Sequence, residues 1–294
     1  MEVILKQVSK SYKDVIALNK INLTIPQGVF GILGPSGSGK TTLMKILMAL
    51  LPPDSGEVIV DGIPINNQSK IRAYVSYLPE DFSFYPSMSI FESMDYMARL
   101  EGINSFTNRK ERINELLLKV NLIDHKKEEV KDLSEGMKRR LGIAISLLKN
   151  PKVLLLDEPT EGLNEEERVW FRTLISEVSK DRIVVLSTHS VEEVEDICKN
   201  IGIINKGEIL FCGRIEKLID EAVGKVRMIK GGYDELSEVQ SKYCVISMNK
   251  SDSEHMIKII TEENVGEKVK PNMKEAYLVK IHNQTISEGY NKYI

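Results

Sequence analysis

Gly34-Pro35-Ser36-Gly37-Ser38-Gly39-Lys40-Thr41 lies between a β-rich run, Val29 to Leu33, and a helical run from Lys40 to about Leu51 that Pro52-Pro53 stops. The stretch fits G-x-x-x-x-G-K-[ST] and sits where that pattern has a mechanism, after a strand and opening a helix. Its glycines let backbone N–H groups turn inward around a phosphate, and the helix amino terminus adds partial positive charge. Lys40 then reaches the β- and γ-phosphates, and the Thr41 hydroxyl takes Mg²⁺. A glycine-rich turn that only joins strand to helix is the plainer alternative, but chance alone produces these four fixed positions in about one such chain in a hundred.

Outward from this loop, short β-rich runs (Val3 to Leu5, Ile21 to Ile25, Glu57 to Val60, Ala73 to Leu78) precede an all-helical stretch, Ser89 to Val120. From Met137 the chain alternates helix (to Leu148), strand (Val153 to Leu156), helix (Glu165 to Ser179) and strand (Ile183 to Leu186). Such alternation predicts a mainly parallel sheet with helices on its faces. Strands at Ile201 to Ile204 and Glu208 to Phe211 flank a Lys206-Gly207 turn, and a helix follows from Arg214. The tail from Lys225 reads strand (Val226 to Ile229), helix (Tyr233 to Ser241), strand (Cys244 to Met248), helix (Ser251 to Thr261) and strand (Val265 to Val269), a small α+β module. The expected division is a domain over residues 1–223, with a helical insert at about 86–140, and an accessory domain over 224–294.

Two further segments carry chemistry. Val153-Leu154-Leu155-Leu156-Asp157-Glu158 ends a buried apolar strand in two acids, at the strand end where open α/β sheets place ligands. One acid can hold Mg²⁺ and the next can polarise a water. In Leu133-Ser134-Glu135-Gly136-Met137, a serine hydroxyl, a glycine N–H and a helix amino terminus form a second anion site.

The segments 34–41, 133–137 and 153–158, with His189, occur in the order of the ATP-binding cassette family, and residues 1 to about 215 resemble it. The Leu-Ser-x-Gly signature is specific to that family among phosphate-loop proteins. The resemblance implies an α/β phosphate-loop cassette with an antiparallel β subdomain and a helical insert, binding ATP with Mg²⁺ and hydrolysing it. It implies that residues Gly34 to Thr42 hold the nucleotide, that Tyr12 stacks on adenine, that Glu158 is the general base and that His189 contacts the γ-phosphate. In such proteins two cassettes pair head to tail, so Ser134 and Gly136 serve the partner's nucleotide.

Two positions depart from the pattern: Glu80 stands where glutamine is usual as an Mg²⁺ ligand beside Thr41 and Asp157, and Asn164 where aspartate is usual. The expected partner is a separate membrane permease. No apolar run reaches the ~20 residues that cross a bilayer, so no span is expected, and the resemblance implies a chain at the cytoplasmic face of the membrane. The ending, Pro271 to Leu278 after the α+β module, resembles exporter-type cassettes. The competing class is a cytosolic cassette ATPase on ribosomes or DNA. With 43 acids against 40 bases there is no basic excess, and no nucleic acid is expected. The Lys138-Arg139-Arg140 run reads as a solvated helix face. The three cysteines form no C-x-x-C pair.

Overall fold

The computed structural model describes residues 1–231, 236–250 and 255–287. Its centre is a six-stranded sheet ordered β10-β9-β3-β8-β7-β6, and the strands are β3 (Gly28–Leu33), β6 (Val75–Leu78), β7 (Val153–Asp157), β8 (Ile183–Thr188), β9 (Asn200–Asn205) and β10 (Glu208–Arg214). All neighbouring pairs are parallel except the β9–β10 hairpin. Alternation along the inner strands feeds two cores. Leu154, Leu156, Val184 and Leu186 face one hydrophobic cluster, while Val153, Leu155, Ile183 and Val185 face the other. A parallel sheet covered on both faces is the arrangement that makes such uninterrupted apolar strands stable.

On one face, α1 (Lys40–Leu47) and a four-stranded antiparallel sheet close the smaller cluster. That sheet is ordered β2-β1-β4-β5, from β1 (Glu2–Tyr12), β2 (Val15–Pro26), β4 (Ser55–Val60) and β5 (Ile63–Pro64). On the other face lie α3 (Ile90–Leu100), α4 (Phe106–Lys119), α5 (Glu135–Ser146), α6 (Glu165–Val178) and α7 (Val191–Ile197). Capping fixes several starts: Ser89 and Asn164 form capping boxes with Glu92 and Glu167, and Ser134 Oγ accepts Met137 N–H at 3.1 Å. Asn164 thus does the N-cap work an aspartate would do.

After α8 (Ile215–Ala222), the tail forms an antiparallel sheet ordered β12-β13-β11-β14, from β11 (Val226–Gly231), β12 (Cys244–Lys250), β13 (His255–Ile260) and β14 (Glu267–Lys268). Helices α9 (Leu236–Lys242) and α10 (Met273–Ser287) accompany it. Met273, Ala276 and Val279 of α10 bury with Leu218, Ala222, Val226 and Ile260 in the larger cluster. Polar contacts reinforce the seam: Asn205 Nδ2 donates to Gln284 Oε1 at 2.9 Å, and Lys280 meets Glu221 at 2.5 Å.

Two expectations fail. The helix expected over Ser251 to Thr261 is strand β13 from His255 onward, and residues 251–254 lie outside the described residues. Apolar residues at 256, 257, 259 and 260 suit either period; pairing with β11 on one side and β12 on the other decides for the strand. The strand expected from Ala73 begins only at Val75, because α2 (Gln68–Tyr74) runs through Ala73 and Tyr74. Residues 233–235, read as the start of a helix, lie outside the described residues, and α9 begins at Leu236.

Candidate functional site

Gly34 leaves the end of β3, and its N–H donates to Thr188 O at 3.2 Å, which fastens the loop to the end of β8. A Cβ at Gly34 would lie 2.1 Å from Ile204 O, so only glycine fits there. Gly39 holds φ 112° at the mouth of α1, left-handed backbone that costs a side-chain-bearing residue roughly 1–2 kcal/mol. The loop folds on itself through Ser38 N–H to Pro35 O at 3.2 Å, and Gly207 N–H supports it from outside by donating to Ser38 O at 2.9 Å. The Lys206-Gly207 hairpin turn therefore buttresses the loop, a contact between sequence-distant segments with no local signal. Among the described residues Ser38 Oγ is buried without a hydrogen-bond partner, a polar atom in the cradle that a bound phosphate would satisfy.

Lys40 is buried at 6% exposure. Its ammonium donates to Gly34 O at 2.8 Å and Pro35 O at 3.2 Å and lies 3.4 Å from Glu158 Oε1. The other Glu158 oxygen is 2.9 Å from His189 Nδ1 and 3.4 Å from His189 N. Glu158 thus stands between the loop lysine and the histidine after β8. Its backbone is left-handed, φ 45°, a strain of order 1–3 kcal/mol that persists only where the surroundings impose it. Glu158 N–H donates to Ser187 O at 3.0 Å and Glu161 N–H to Glu158 O at 3.3 Å, and both contacts pin that turn.

Asp157 is 1% exposed and accepts from Ser187 Oγ and, at 3.1 Å, from Tyr77 OH. Burial, then the charge and hydrogen bond of Asp157, drive the Tyr77 phenol far above its ordinary value, so it stays a donor. Sequence reading missed both partners, since a tyrosine in β6 and a serine in β8 carry no motif of their own. Glu80, just past β6, is exposed. Its carboxyl is pushed upward by partial burial and then by the charges of Glu161, Asp157, Glu158 and Asp81. The carboxylates of Glu80 and Asp157 and the hydroxyl of Thr41 are hard-oxygen donors of the kind Mg²⁺ takes, but among the described residues no three His, Cys, Asp or Glu side chains gather closely enough to hold a metal ion.

Tyr12 closes β1 with its ring 46% exposed, which excludes a core role. Among the described residues, no hydrogen bond or ion pair joins Ser134 or Gly136 to the 34–42 loop; the two sit at the start of α5. A Cβ at Gly136 would fall 2.0 Å from Glu167 Oε1. That glutamate closes the α6 capping box and lies 3.6 Å from Arg140, so the start of α5 and the start of α6 share one carboxylate.

The basic run on α5 is not a solvated face. Arg140 stacks 4.8 Å over Trp170, and Arg139 lies 5.1 Å over Phe82 and donates to Glu80 O at 3.3 Å. Burial, partly countered by Glu161 and Glu80, lowers the Arg139 pKa.

A lysine and histidine bracketing a carboxylate at the strand ends, beside a glycine-lined anion cradle, can bind a polyphosphate and polarise a water against it. A model of the ABC transporter family matches residues 18–161. The Nod factor export ATP-binding protein I of Cupriavidus metallidurans is 34% identical over 224 residues, 75% of this chain and 73% of that protein. The chain belongs to the ABC transporter family.

It is an ATP-binding, ATP-hydrolysing subunit of the ABC type. The linearmycin resistance ATP-binding protein LnrL of Bacillus subtilis is 31% identical over 211 residues, 71% of this chain and 68% of that relative. A solved dimeric ATP-binding cassette in a post-hydrolysis state, bound to ADP and Pi, superimposes with a TM-score of 0.67 at 28% identity, covering 72% of this chain and 98% of the other. Subunits of this family work in pairs with a separate membrane permease, and none of these relatives favours a ribosome- or DNA-bound ATPase. Among the described residues, no helix is long and apolar enough to cross a membrane.

Proposed function

We propose that this subunit powers export of a substrate through a separate membrane-spanning permease, working as a pair of cassettes on the cytoplasmic face of the membrane. Two relatives named for Nod factor export and linearmycin resistance support the direction of transport. The observation that carries the hydrolytic reading is the placement of Glu158 between Lys40 at 3.4 Å and His189 at 2.9 Å.

In this reading Gly34, Pro35, Ser36, Gly37, Ser38 and Gly39 wrap the phosphates with backbone N–H groups, and Lys40, Thr41 and Thr42 open the helix beneath them. Lys40 moves from Glu158 onto the γ-phosphate. The freed Glu158 carboxylate takes a proton from the attacking water, and His189 orients the γ-phosphate. Thr41, Asp157 and Glu80 would hold Mg²⁺, which neutralises charge on the β- and γ-phosphates. Tyr12 offers its exposed ring to adenine. Ser134, exposed at the N-cap of α5, and the backbone of Gly136 in its first turn complete the site of the second cassette. Residues 1–223 form the cassette, with its helical insert at about 86–140, and 224–294 an accessory domain that helps the pair or the permease rather than the chemistry.

Extraction in mild detergent tests the assembly: co-purification of one membrane protein with the chain is expected, whereas a chain recovered monomeric and free of any membrane protein refutes it. Glu158→Gln tests the chemistry, with binding kept, turnover lost and an ATP-bound pair accumulating. Undiminished hydrolysis in that variant would assign the water to another residue.

A further inference from the structure

The C-terminal segment has no part in the hydrolytic reading, yet it reaches the support of the phosphate loop. Strand β9 runs parallel beside β3 with Ile203 opposite Leu33, so Ile204 and Asn205 pass the point where the loop begins. Ile204 O leaves no room for a Cβ at Gly34, and Gly207 N–H donates to Ser38 O at 2.9 Å. Asn205, between these two contacts, gives its side chain to the last turn of α10: its Nδ2 donates to Gln284 Oε1 at 2.9 Å.

That carboxamide pair is buried, with Asn205 7% and Gln284 9% exposed. Buried amides stay paired, because one stripped of its partner keeps the full cost of leaving water. The Asn205 side chain is therefore held where α10 holds Gln284. The turn that follows is fixed on its far side by β2, where Asn19 N–H donates to Gly207 O at 2.7 Å and Asn19 Nδ2 to Glu208 Oε1 at 2.7 Å. Gly207, at φ 77°, lies so close to Ala17 O that a Cβ has no place there.

We propose that Asn205 is a positioning residue for the phosphate loop and that α10 sets it through Gln284, so that the C-terminal segment tunes nucleotide affinity and not the chemical step. The inference rests on the reading of residues 34–42 as the nucleotide cradle. A loop with glycine at 34, 37 and 39 does not hold its own shape. Gly37 and Gly39 take φ 75° and 112°, and each glycine adds backbone freedom that binding must remove. Supports that fix the loop beforehand lower that cost, and affinity rises with such preorganisation. The path is short: one side-chain bond from Gln284 to Asn205, the chain from Asn205 to Gly207, and one backbone bond to Ser38.

The test is equilibrium binding of ADP and of AMP, with steady-state ATPase, in the full chain, for Asn205→Ala, Gln284→Met, the Asn205→Ala/Gln284→Met double variant and Lys274→Ala as a control. AMP lacks the β-phosphate that the loop and Lys40 grip. Gln284→Met fills the same space without the amide oxygen. Each of the first two variants is expected to weaken ADP binding about 3- to 10-fold, the worth of one neutral hydrogen bond, while AMP affinity and kcat stay within about twofold. The double variant weakens ADP binding no further than the single ones, since all remove the same bond. Lys274→Ala cuts a different tie of α10, its exposed 3.3 Å pair with Glu192 of α7, and leaves ADP affinity unchanged.

Wild-type ADP affinity in Asn205→Ala or in Gln284→Met overturns the proposal, as do equal losses for AMP and ADP, a loss confined to kcat, or a double variant whose losses multiply. A loss in Lys274→Ala matching that in Gln284→Met also overturns it, since the whole segment and not this bond would then be acting. Should Asn205→Ala fail to fold, Gln284→Met, near the end of α10, decides alone. Wild-type ADP affinity in Lys40→Ala would instead refute the reading of the loop itself.

Discussion

Replacing Glu158 by glutamine should tighten nucleotide binding as well as stop turnover, and the size of the tightening follows from the geometry. Lys40 and Glu158 lie 3.4 Å apart with side chains 7% and 9% exposed. At an effective dielectric near 20, unit charges at that separation attract by about 5 kcal/mol. Much of that is offset by desolvation, and Lys40 keeps Gly34 O and Pro35 O as partners in either variant. An incoming phosphate must nevertheless take the lysine from the carboxylate, and it must also tolerate a negative charge left beside it. Glutamine keeps the shape and removes both obstacles. If roughly a third of the attraction is felt as competition, ADP binds about tenfold tighter, or about 1.4 kcal/mol.

The assay is equilibrium ADP binding by titration calorimetry, without Mg²⁺, at low and moderate salt. The pair is buried, so the gain should survive moderate salt. Turnover of the same variant should fall by about 10²- to 10⁴-fold, the usual worth of a general base. Unchanged or weaker ADP binding in Glu158→Gln would refute the idea that the carboxylate holds Lys40 in the free subunit.

Tyr12→Ala should weaken ATP binding by at least about fivefold, the low end of base stacking on an aromatic, and leave the melting temperature untouched because the ring is exposed; equal nucleotide affinities would remove Tyr12 from the site. Gly136→Ala should cost about 1–3 kcal/mol, as overpacking does. Its Cβ would meet Glu167 Oε1 at 2.0 Å and displace the carboxylate that caps α6, so a lowered melting temperature without loss of ADP binding by the single chain is expected. Glu80 has its carboxyl raised above the ordinary 4.5 by burial and neighbouring acids. A carboxyl raised in the folded state opposes folding once ionised, and that loss sets in as pH climbs from the ordinary value through the raised one. Glu80→Gln should therefore melt higher than the parent chain in EDTA by a margin that grows between pH 4 and pH 7; superimposable melting curves would contradict the repulsion.

What could be read from the sequence was whatever is local. The 34–41 loop announces itself because backbone that wraps a phosphate needs glycine at fixed intervals, and Gly37 and Gly39 do take φ 75° and 112°. The apolar run ending in Asp157-Glu158 is likewise local, a strand that must be buried on both faces. What holds these residues was not local. Asp157 is gripped by Tyr77 and Ser187, the cradle rests on Gly207, and Arg139 and Arg140 lie against rings of Phe82 and Trp170. None of these contacts is written in spacing. The segment 255–260 went wrong for a related reason, since its apolar spacing suits a helix or a strand and only its neighbours β11 and β12 choose.

The register of the central sheet explains why so little local sequence places so much chemistry. Parallel pairing sets Leu33 opposite Thr188 and Asp157 opposite Ser187, so the loops after β3, β7 and β8 leave the sheet at nearly the same level. Gly34, Glu158 and His189 then face one another without any side chain having to reach. A slip of one residue in β7 would exchange Leu154 and Leu156 with Val153 and Leu155 between the two cores, which differ in their lining. The exchanged residues would stay buried but in the wrong core, where mismatched volumes cost about 1–3 kcal/mol at each overpacked site, so together they cost more than the strain at Glu158. The cores therefore lock the register, the register sets the loops level, and the strained turn at Glu158 is sustained by packing on both faces of the sheet beneath it.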